Sequence, residues 1–242
     1  MSSREAKGLR LAAEDGRRRP EDADPLLKLA LTGLAFGATP IFGAIDLAVR
    51  PGETLALTGP SGVGKTTLLR VLAGLETGYT GALRAPERIG FVFQEPTLLP
   101  WRTAQDNLRL TAGISPKAAD AALAEVGLAA MGGQFPDQLS LGQQRRLSLA
   151  RAFASSPELL LLDEPFVSLD PKTADEMMRL FARLRAARGV ATVLVTHVEA
   201  EAEALASRIL TLGGSPAQVV AERQNKGAYF QLSASGVTSS RS

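Results

Sequence analysis

The chain has 242 residues, of which 45% are hydrophobic and 21% charged, so it can bury one large core with room for a smaller subdomain. It contains no cysteine, which excludes disulfides and thiolate metal sites and is typical of a reducing compartment. The formal net charge is only +2 and acidic and basic residues alternate along the chain, so nothing indicates a nucleic-acid-binding surface.

The first 25 residues predict a disordered tail. They hold six basic and six acidic residues without an apolar run, which is unlike a signal peptide. Next comes an uncharged run of 17 residues, 29–45, which is shorter than the ~20 residues that a bilayer requires. Its glycines and proline, Gly33, Gly37, Pro40 and Gly43, indicate turns between short strands. We therefore expect no membrane span here, and a separate chain must supply any bilayer portion.

Residues 59–66, Gly-Pro-Ser-Gly-Val-Gly-Lys-Thr, fit the phosphate-binding pattern G-x-x-x-x-G-K-[ST] without mismatch. An apolar strand, 54–58, precedes this phosphate loop and a helix, 67–73, follows it, as the pattern requires; a turn that merely joins strand to helix is the weaker interpretation. Lys65 supplies positive charge for the β- and γ-phosphates, and the Thr66 hydroxyl can ligate Mg²⁺. The predicted nucleotide-binding residues are Gly59, Pro60, Ser61, Gly62, Val63, Gly64, Lys65, Thr66 and Thr67.

Beyond the phosphate loop, strands and helices alternate. We predict strands at 88–93, 159–162 and 190–195; the four leucines of 159–162 suit a sheet covered on both faces. A helix at 115–126 stops at Gly127, and a helix at 171–188 has Asp170 as its N-cap. The core-facing stripe of the second helix is predicted to be Met177, Leu180, Phe181 and Leu184. From about 214 the composition indicates a polar tail that runs to 242.

Polar residues follow three of these strands. Asp163 and Glu164 come directly after 159–162, where a carboxylate beside a phosphate loop can bind Mg²⁺ and a second can act as general base. A solvated acidic turn would explain one carboxylate better than two. His197, the only histidine, follows 190–195, and Gln94 ends 88–93. All lie at carboxyl ends of strands, the edge at which α/β proteins bind ligands.

Residues 139–146, Leu-Ser-Leu-Gly-Gln-Gln-Arg-Arg, begin another helix. Ser140 and Gln143 have the spacing of a capping box, so a capped helix is the simpler interpretation of these residues alone. A helix N-terminus that presents Ser140 and the Gly142 amide is also an anion site.

Taken in order, these motifs resemble those of the ATP-binding cassette of ABC transporters, and the resemblance covers roughly 26–213. It implies an α/β fold: a P-loop NTPase core with a mixed, mainly parallel sheet, an N-terminal antiparallel β subdomain, and a helical signature subdomain at about 95–155. It also implies a head-to-tail homodimer, with each ATP between one subunit's phosphate loop and its partner's signature segment, residues 139–143.

The resemblance also implies residue roles. Glu164 would be the catalytic base, His197 the γ-phosphate switch, and Lys65 an essential charge. Mg²⁺ would be held by Thr66, Gln94 and Asp163, with Gln94 as the sensor toward the transporter. Ser140, Gly142 and Gln143 would meet the partner's nucleotide, and Asp170 would shape the dimer contact. Phe36 best fits the position that stacks on adenine, although a phenylalanine is more often a core residue.

Within the family, the stretch 91–102 resembles importer ATPases of the nitrate, sulfonate and taurine type. This implies a peripheral protein at the cytoplasmic face of the inner membrane that powers a separate permease and works indirectly with a solute-binding protein. Trp101, the only tryptophan, beside Leu98 and Leu99, is a candidate contact for the permease; packing inside the helical subdomain is the alternative. The transported solute leaves no trace in this sequence, because an ATPase subunit does not touch it.

One position departs from the family: Leu141 stands where a glycine is usual. Its side chain could crowd the partner's nucleotide or point away from it. Two other functions stay open. A non-transport cassette ATPase usually carries a coiled-coil insertion, a second cassette or zinc cysteines, which this chain lacks. A low-turnover regulatory subunit has only Leu141 in its favour.

Overall fold

The computed structural model describes residues 24–225, so most of the predicted N-terminal tail, 1–25, and residues 226–242 lie outside the described residues. The strands within the described stretch are β1 (Leu27–Phe36), β2 (Thr39–Phe42), β3 (Ile45–Val49), β4 (Thr54–Thr58), β5 (Tyr79–Arg84), β6 (Ile89–Val92), β7 (Leu159–Asp163), β8 (Ala191–Val195), β9 (Arg208–Gly213) and β10 (Gln218–Gln224). The α-helices are α1 (Lys65–Leu72), α2 (Ala104–Ala112), α3 (Pro116–Glu125), α4 (Leu141–Ala154), α5 (Pro171–Arg188) and α6 (Glu199–Leu205).

The larger sheet has six strands in the order β10-β9-β4-β8-β7-β6. All neighbours in it are parallel except β10, which runs antiparallel to β9. Every residue of β7 and β8 is buried, which confirms that the four-leucine strand lies in a sheet covered on both faces. Leu159 and Leu161 face the core with α1, whereas Leu160 and Leu162 face the core with α4 and α5.

The smaller sheet is antiparallel and is built on β1, which pairs with β2, β3 and β5. The uncharged stretch 29–45 forms strands with a turn at Gly37, as predicted. The prediction of turns at Gly33 and Pro40 is wrong, because Gly33 lies within β1 and Pro40 within β2, where backbone pairing holds them in the sheet. Alternate residues of β1 point into the core, with Leu27, Leu29 and Leu31 at most 2% exposed. Among residues 24–225, no helix has both the length and the apolar composition needed to cross a bilayer.

Helices α2, α3 and α4 pack on one another around Leu108, Leu123 and Leu147, all fully buried. The predicted capping box begins α4: Ser140 Oγ accepts from the Gln143 amide, and Gln143 Oε1 accepts from the Ser140 amide. Asp170 caps α5 as predicted. The expected stripe of α5 is also confirmed, since its four residues are all buried: Met177, Leu180, Phe181 and Leu184.

The prediction of a polar tail from 214 is wrong for the residues up to 225. Residues Gln218–Gln224 form β10 and extend the main sheet beside β9. The edge strand is held by backbone pairing, and its side chains are mostly exposed, so its sequence carries little of the apolar alternation that predicts a strand.

The segment around Trp101 is held by one buried side chain. Asn107, which is 0% exposed, accepts from the Leu99 amide at 2.8 Å and donates to the carbonyls of Leu99, Arg102 and Thr103 at 3.0 to 3.1 Å. Trp101 itself is 68% exposed, so the alternative that it packs inside the helical subdomain is wrong. A fixed backbone thus presents an exposed indole.

We expect Asn107→Ala to lower the free energy of unfolding by roughly 1–3 kcal/mol, because the partly buried Leu99 amide loses its acceptor. Gln105→Ala on the same helix is the matched control, since it removes a surface hydrogen bond to Asp120. Urea denaturation followed by circular dichroism compares the two. Equal stabilities of the two variants would contradict the role given to Asn107.

Candidate functional site

The candidate site lies along the carboxyl ends of the four parallel strands β4, β6, β7 and β8. The register of the sheet aligns the ends of three of these strands. Val195 at the end of β8 is paired with Leu57 of β4 on one side and with Asp163 of β7 on the other. The phosphate loop, residues 59–66, follows β4, and His197 follows β8 after one residue. The sheet thereby brings three separate motifs to one edge.

Two glycines of the phosphate loop are required by its shape. Gly59 has φ +137°, and a Cβ there would lie 2.4 Å from the Leu212 carbonyl oxygen. Gly64 has φ +104°, and a Cβ there would lie 2.8 Å from the ring of Phe42. No other residue type fits either place, and the positive φ of these two glycines gives the loop its curved backbone. This is the curvature that lets successive amides converge on a phosphate.

Two side chains of the loop region are aimed at the site. The Lys65 ammonium donates to the Gly59 and Pro60 carbonyls at 2.8 and 2.9 Å, so it curls back over the loop. The Thr66 hydroxyl donates to Asp163 Oδ1 at 3.1 Å. Thr66, the second residue of α1, and the carboxylate that ends β7 are therefore in direct contact. Two hard oxygen donors placed together in this way suit Mg²⁺.

The two neighbouring carboxylates have different environments. Asp163 is 5% exposed, and burial raises its pKa, as does the nearby Glu164, whereas the Thr66 hydrogen bond and the Lys65 charge lower it. Glu164 is more open: Oε1 lies 3.2 Å from His197 Nδ1, and its backbone takes a left-handed φ of +45°. Asp163 is therefore suited to bind a cation in the interior, and Glu164 to exchange protons with a water molecule.

The backbone on both sides of His197 is anchored through Thr196. The Thr196 hydroxyl donates to Glu201 Oε2 at 2.5 Å and accepts from the Val198 amide at 3.0 Å. Glu201 is 8% exposed, and burial raises its pKa while the Thr196 hydrogen bond lowers it. The imidazole of His197 is itself exposed, so a fixed backbone holds it at the open edge of the site.

The other predicted residues lie at the N-termini of α4 and α5. The start of α4 holds Ser140, Gly142 and Gln143, and here Ser140 and Gln143 form hydrogen bonds with each other. Asp170 is fully exposed, and hydrogen bonds from the Thr173 side chain and backbone lower its pKa. No hydrogen bond among the described residues joins any of these four to the phosphate loop or to Asp163.

Four further positions carry predictions, and three of them are exposed. Gln94 is exposed in the turn after β6, at the same sheet edge. Phe36 is the last residue of β1 and 51% exposed, so it is not a core residue; its stacking on adenine stays a prediction. Thr67 is half-buried in α1. Leu141, the first residue of α4, is 44% exposed and lies outside the core.

Two residues near the site were not predicted from the sequence. Glu201 lies on the buried side of α6 with Ala202 and Leu205, and its spacing of four residues from Leu205 is the available signal. Arg145 is 7% exposed and lies four residues before Leu149 on the buried side of α4, a position at which arginine is unusual. Helical periodicity could have flagged both as buried, but it could not have named their partners.

The site combines a strand, a loop shaped by glycines with an inward lysine, and a carboxylate bonded to the loop's threonine. This combination defines a P-loop nucleotide hydrolase on an α/β fold. The comparisons with known proteins give the family: residues 42–167 match the ABC transporter family, so the chain belongs to it. The protein is an ATP-binding subunit of this family with ATPase activity.

Curated relatives and a solved structure agree. The chain is 47% identical to the aliphatic sulfonates import ATP-binding protein SsuB of Granulibacter bethesdensis, over 82% of this chain and 84% of that protein. It is 46% identical to SsuB 3 of Paraburkholderia xenovorans, over 80% and 79% of the two chains. A dimeric ATP-binding cassette in a post-hydrolysis state, bound to ADP and Pi, is 29% identical, with a TM-score of 0.73 over 83% of this chain and 99% of that one.

We expect Glu164→Gln to lower ATP turnover on the order of 10²-fold or more, the usual scale for losing a general base, while ATP still binds. The amide keeps the size of the carboxylate but cannot take up a proton. Phosphate release gives turnover, and a fluorescent ATP analogue gives binding. Lys65→Ala is the control, because loss of the phosphate-binding charge should abolish both signals. Normal turnover by the Glu164 variant would show that the base lies elsewhere.

Proposed function

We propose that this chain is the ATP-hydrolysing subunit of an importer for organic sulfonates. The observation that carries the hydrolytic part is the juxtaposition of two pairs at one sheet edge: Thr66 with Asp163, and Glu164 with His197. The direction of transport and the cargo are proposed from the printed names of the relatives.

The donor atoms fit a magnesium ion bound together with nucleotide. Thr66 Oγ1 and Asp163 Oδ1 lie 3.1 Å apart, and Gln94 adds an amide oxygen at the same edge. Within residues 24–225 there is no cluster of three His, Cys, Asp or Glu side chains suited to a metal. Mg²⁺ bound with a nucleotide needs only a few protein ligands, because water molecules and phosphate oxygens fill its other coordination positions. When bound, the ion would neutralise charge that develops on the transferred phosphoryl group.

Each remaining side chain has a distinct task in this proposal. Lys65 exchanges its two carbonyl acceptors for the β- and γ-phosphate oxygens, which bind it more strongly because they are charged. The Glu164 carboxylate accepts the proton of the attacking water. His197, whose Nδ1 lies 3.2 Å from Glu164, orients that carboxylate and presents its other nitrogen to the γ-phosphate.

A head-to-tail dimer gives a use to the residues that lie away from the phosphate loop. Ser140 and the Gly142 amide stand at the N-terminus of α4, whose dipole favours an anion. They would meet the nucleotide held by a second copy of this chain, with Asp170 and Gln143 at the contact. The solved relative is a dimer bound to ADP and Pi, which supports the proposal of a dimer.

The exposed indole of Trp101 supports docking to a permease. It is 68% exposed on a backbone fixed by Asn107, and Leu98 and Leu99 lie half-buried beside it. A rigid exposed aromatic beside apolar side chains is typical of a protein interface. The subunit would thus lie at the cytoplasmic face of the membrane, and a solute-binding protein would deliver the sulfonate to the permease from the other side.

Uptake by cells tests the function directly. Deleting the gene should abolish growth on ethanesulfonate as sole sulfur source, and the wild-type gene, but not the Glu164→Gln gene, should restore it. Labelled ethanesulfonate, taurine and nitrate are supplied in parallel. Loss of nitrate uptake with normal uptake of both sulfonates would reassign the cargo, whereas loss of taurine uptake alone would narrow it to amino-substituted sulfonates. Unchanged uptake of all three would favour a non-transport ATPase.

We expect Trp101→Ala to weaken binding to the permease by about 2 kcal/mol or more, the usual scale for a central interface aromatic. Turnover of the isolated subunit should not change, because Trp101 is not part of the phosphate site. Leu110→Ala is the control, an apolar residue that is 58% exposed on α2. Co-purification with the permease and ATPase assays of both variants decide. Wild-type co-purification of the Trp101 variant would place the permease contact elsewhere.

A further inference from the structure

Arg145 joins α4, the helix that begins in the signature segment and is called the signature helix below, to the turn that carries Glu164. Its guanidinium donates from Nη1 to the Pro165 carbonyl at 3.0 Å and from Nη2 to the Val167 carbonyl at 2.9 Å. Both carbonyls belong to residues 164–168, named here the β7–α5 turn. One side chain of α4 therefore grips this turn at two points.

The turn that Arg145 grips has an unfavourable backbone conformation. Glu164 has φ +45° and Ser168 has φ +61°, although neither is glycine. Residues with side chains adopt this left-handed region only when their surroundings impose it, and such residues concentrate at functional sites. The two residues flank the carbonyls that Arg145 holds. The guanidinium is therefore placed where it can maintain both conformations.

Burying the charged side chain of Arg145 to make this contact is energetically unfavourable. Arg145 is 7% exposed, and its Nε has no hydrogen-bond partner among the described residues. Burial lowers the pKa of Arg145, and the carboxylate of Glu95 acts in the opposite direction. A buried charge destabilises a protein unless it is well bonded, so packing alone does not account for an arginine here. What the planar guanidinium adds is a rigid fork that can hold two acceptors at once.

We propose that Arg145 is a positioning residue for ATP hydrolysis, which holds the β7–α5 turn so that Glu164 keeps its place beside His197. The inference rests on the proposed role of Glu164 as the base. It also links two functions within one subunit. Ser140, five residues before Arg145 on the same helix, would contact the partner's nucleotide, while the turn held by Arg145 serves the subunit's own.

The test compares Arg145→Met and Arg145→Lys with Arg185→Met in the full-length protein. Methionine removes both donors, and lysine keeps the charge but not the fork. Arg185 is a matched control, because it is also buried on a helix, has a pKa lowered by burial, and donates to a backbone carbonyl, that of Gly52. We expect kcat to fall on the order of 10- to 100-fold in both Arg145 variants, the scale for misplacing a reacting group. KM for ATP should stay within about threefold, and Arg185→Met should keep its kcat.

The Glu164→Gln background distinguishes positioning from a general loss of structure. If Arg145 acts through Glu164, adding Arg145→Met to Glu164→Gln should change the residual single-turnover rate by less than about threefold, because effects within one unit are not additive. A further drop as large as in the wild type, or wild-type kcat in Arg145→Met, would overturn the proposal. If Arg145→Met does not fold, Arg145→Lys is judged by the same criteria. Wild-type turnover by Glu164→Gln alone would instead refute the role of Glu164.

Discussion

The parallel pairing of β4, β8 and β7 is the constraint on which the site depends. Leu57, Val195 and Asp163 are level with one another in the sheet, so whatever follows each strand meets at one edge. Because side chains alternate between the two faces, a slip of one residue in β7 would move its leucines to the opposite cores and Asp163 away from Thr66. Because both faces of β7 and β8 are buried, such a slip would require both cores to repack, which opposes it. The same packing that stabilises the sheet therefore sets the geometry of the chemistry.

The signature helix α4 adds a second constraint on that edge. Arg145 holds the carbonyls of the β7–α5 turn, and Arg151, six residues later, donates to the carbonyls of Pro96 and Thr97 in the turn after β6. Both turns contain residues with side chains in the left-handed region, Thr97 in one and Glu164 in the other. A helix that bonds two such turns cannot move independently of them. Displacement of α4, from the permease side or from a second subunit, would therefore act on the surroundings of Gln94 and Glu164 together.

Much of this could be predicted from the sequence because the signals are local. The phosphate loop, the capping box at Ser140 and the N-cap at Asp170 each depend on residues within a few positions of one another. The acidic pair after the four-leucine strand also needed only its neighbours. Long-range partners could not be predicted. Nothing near Asn107 in sequence shows that it bonds the Leu99 backbone, and nothing near Arg145 indicates Pro165 and Val167. Strand β10 was missed for a related reason: an edge strand held by backbone pairing has no apolar side-chain pattern to reveal it.

The charged groups of the site are already paired in ways that a nucleotide can replace. Lys65 is bonded to two neutral carbonyls of its own loop, and Glu164 lies beside the exposed imidazole of His197. Exchanging neutral carbonyls for phosphate oxygens strengthens the bonds of Lys65, so the exchange is favourable without a buried charge ever being left unpaired. Glu201, by contrast, is buried and bonded to Thr196, away from the open edge, and so keeps its partner throughout. The site thus combines groups that exchange partners with groups that do not, and the second set keeps the first in position. Glu201 and Arg145, the two residues that were not predicted from the sequence, both belong to the set that keeps its partners.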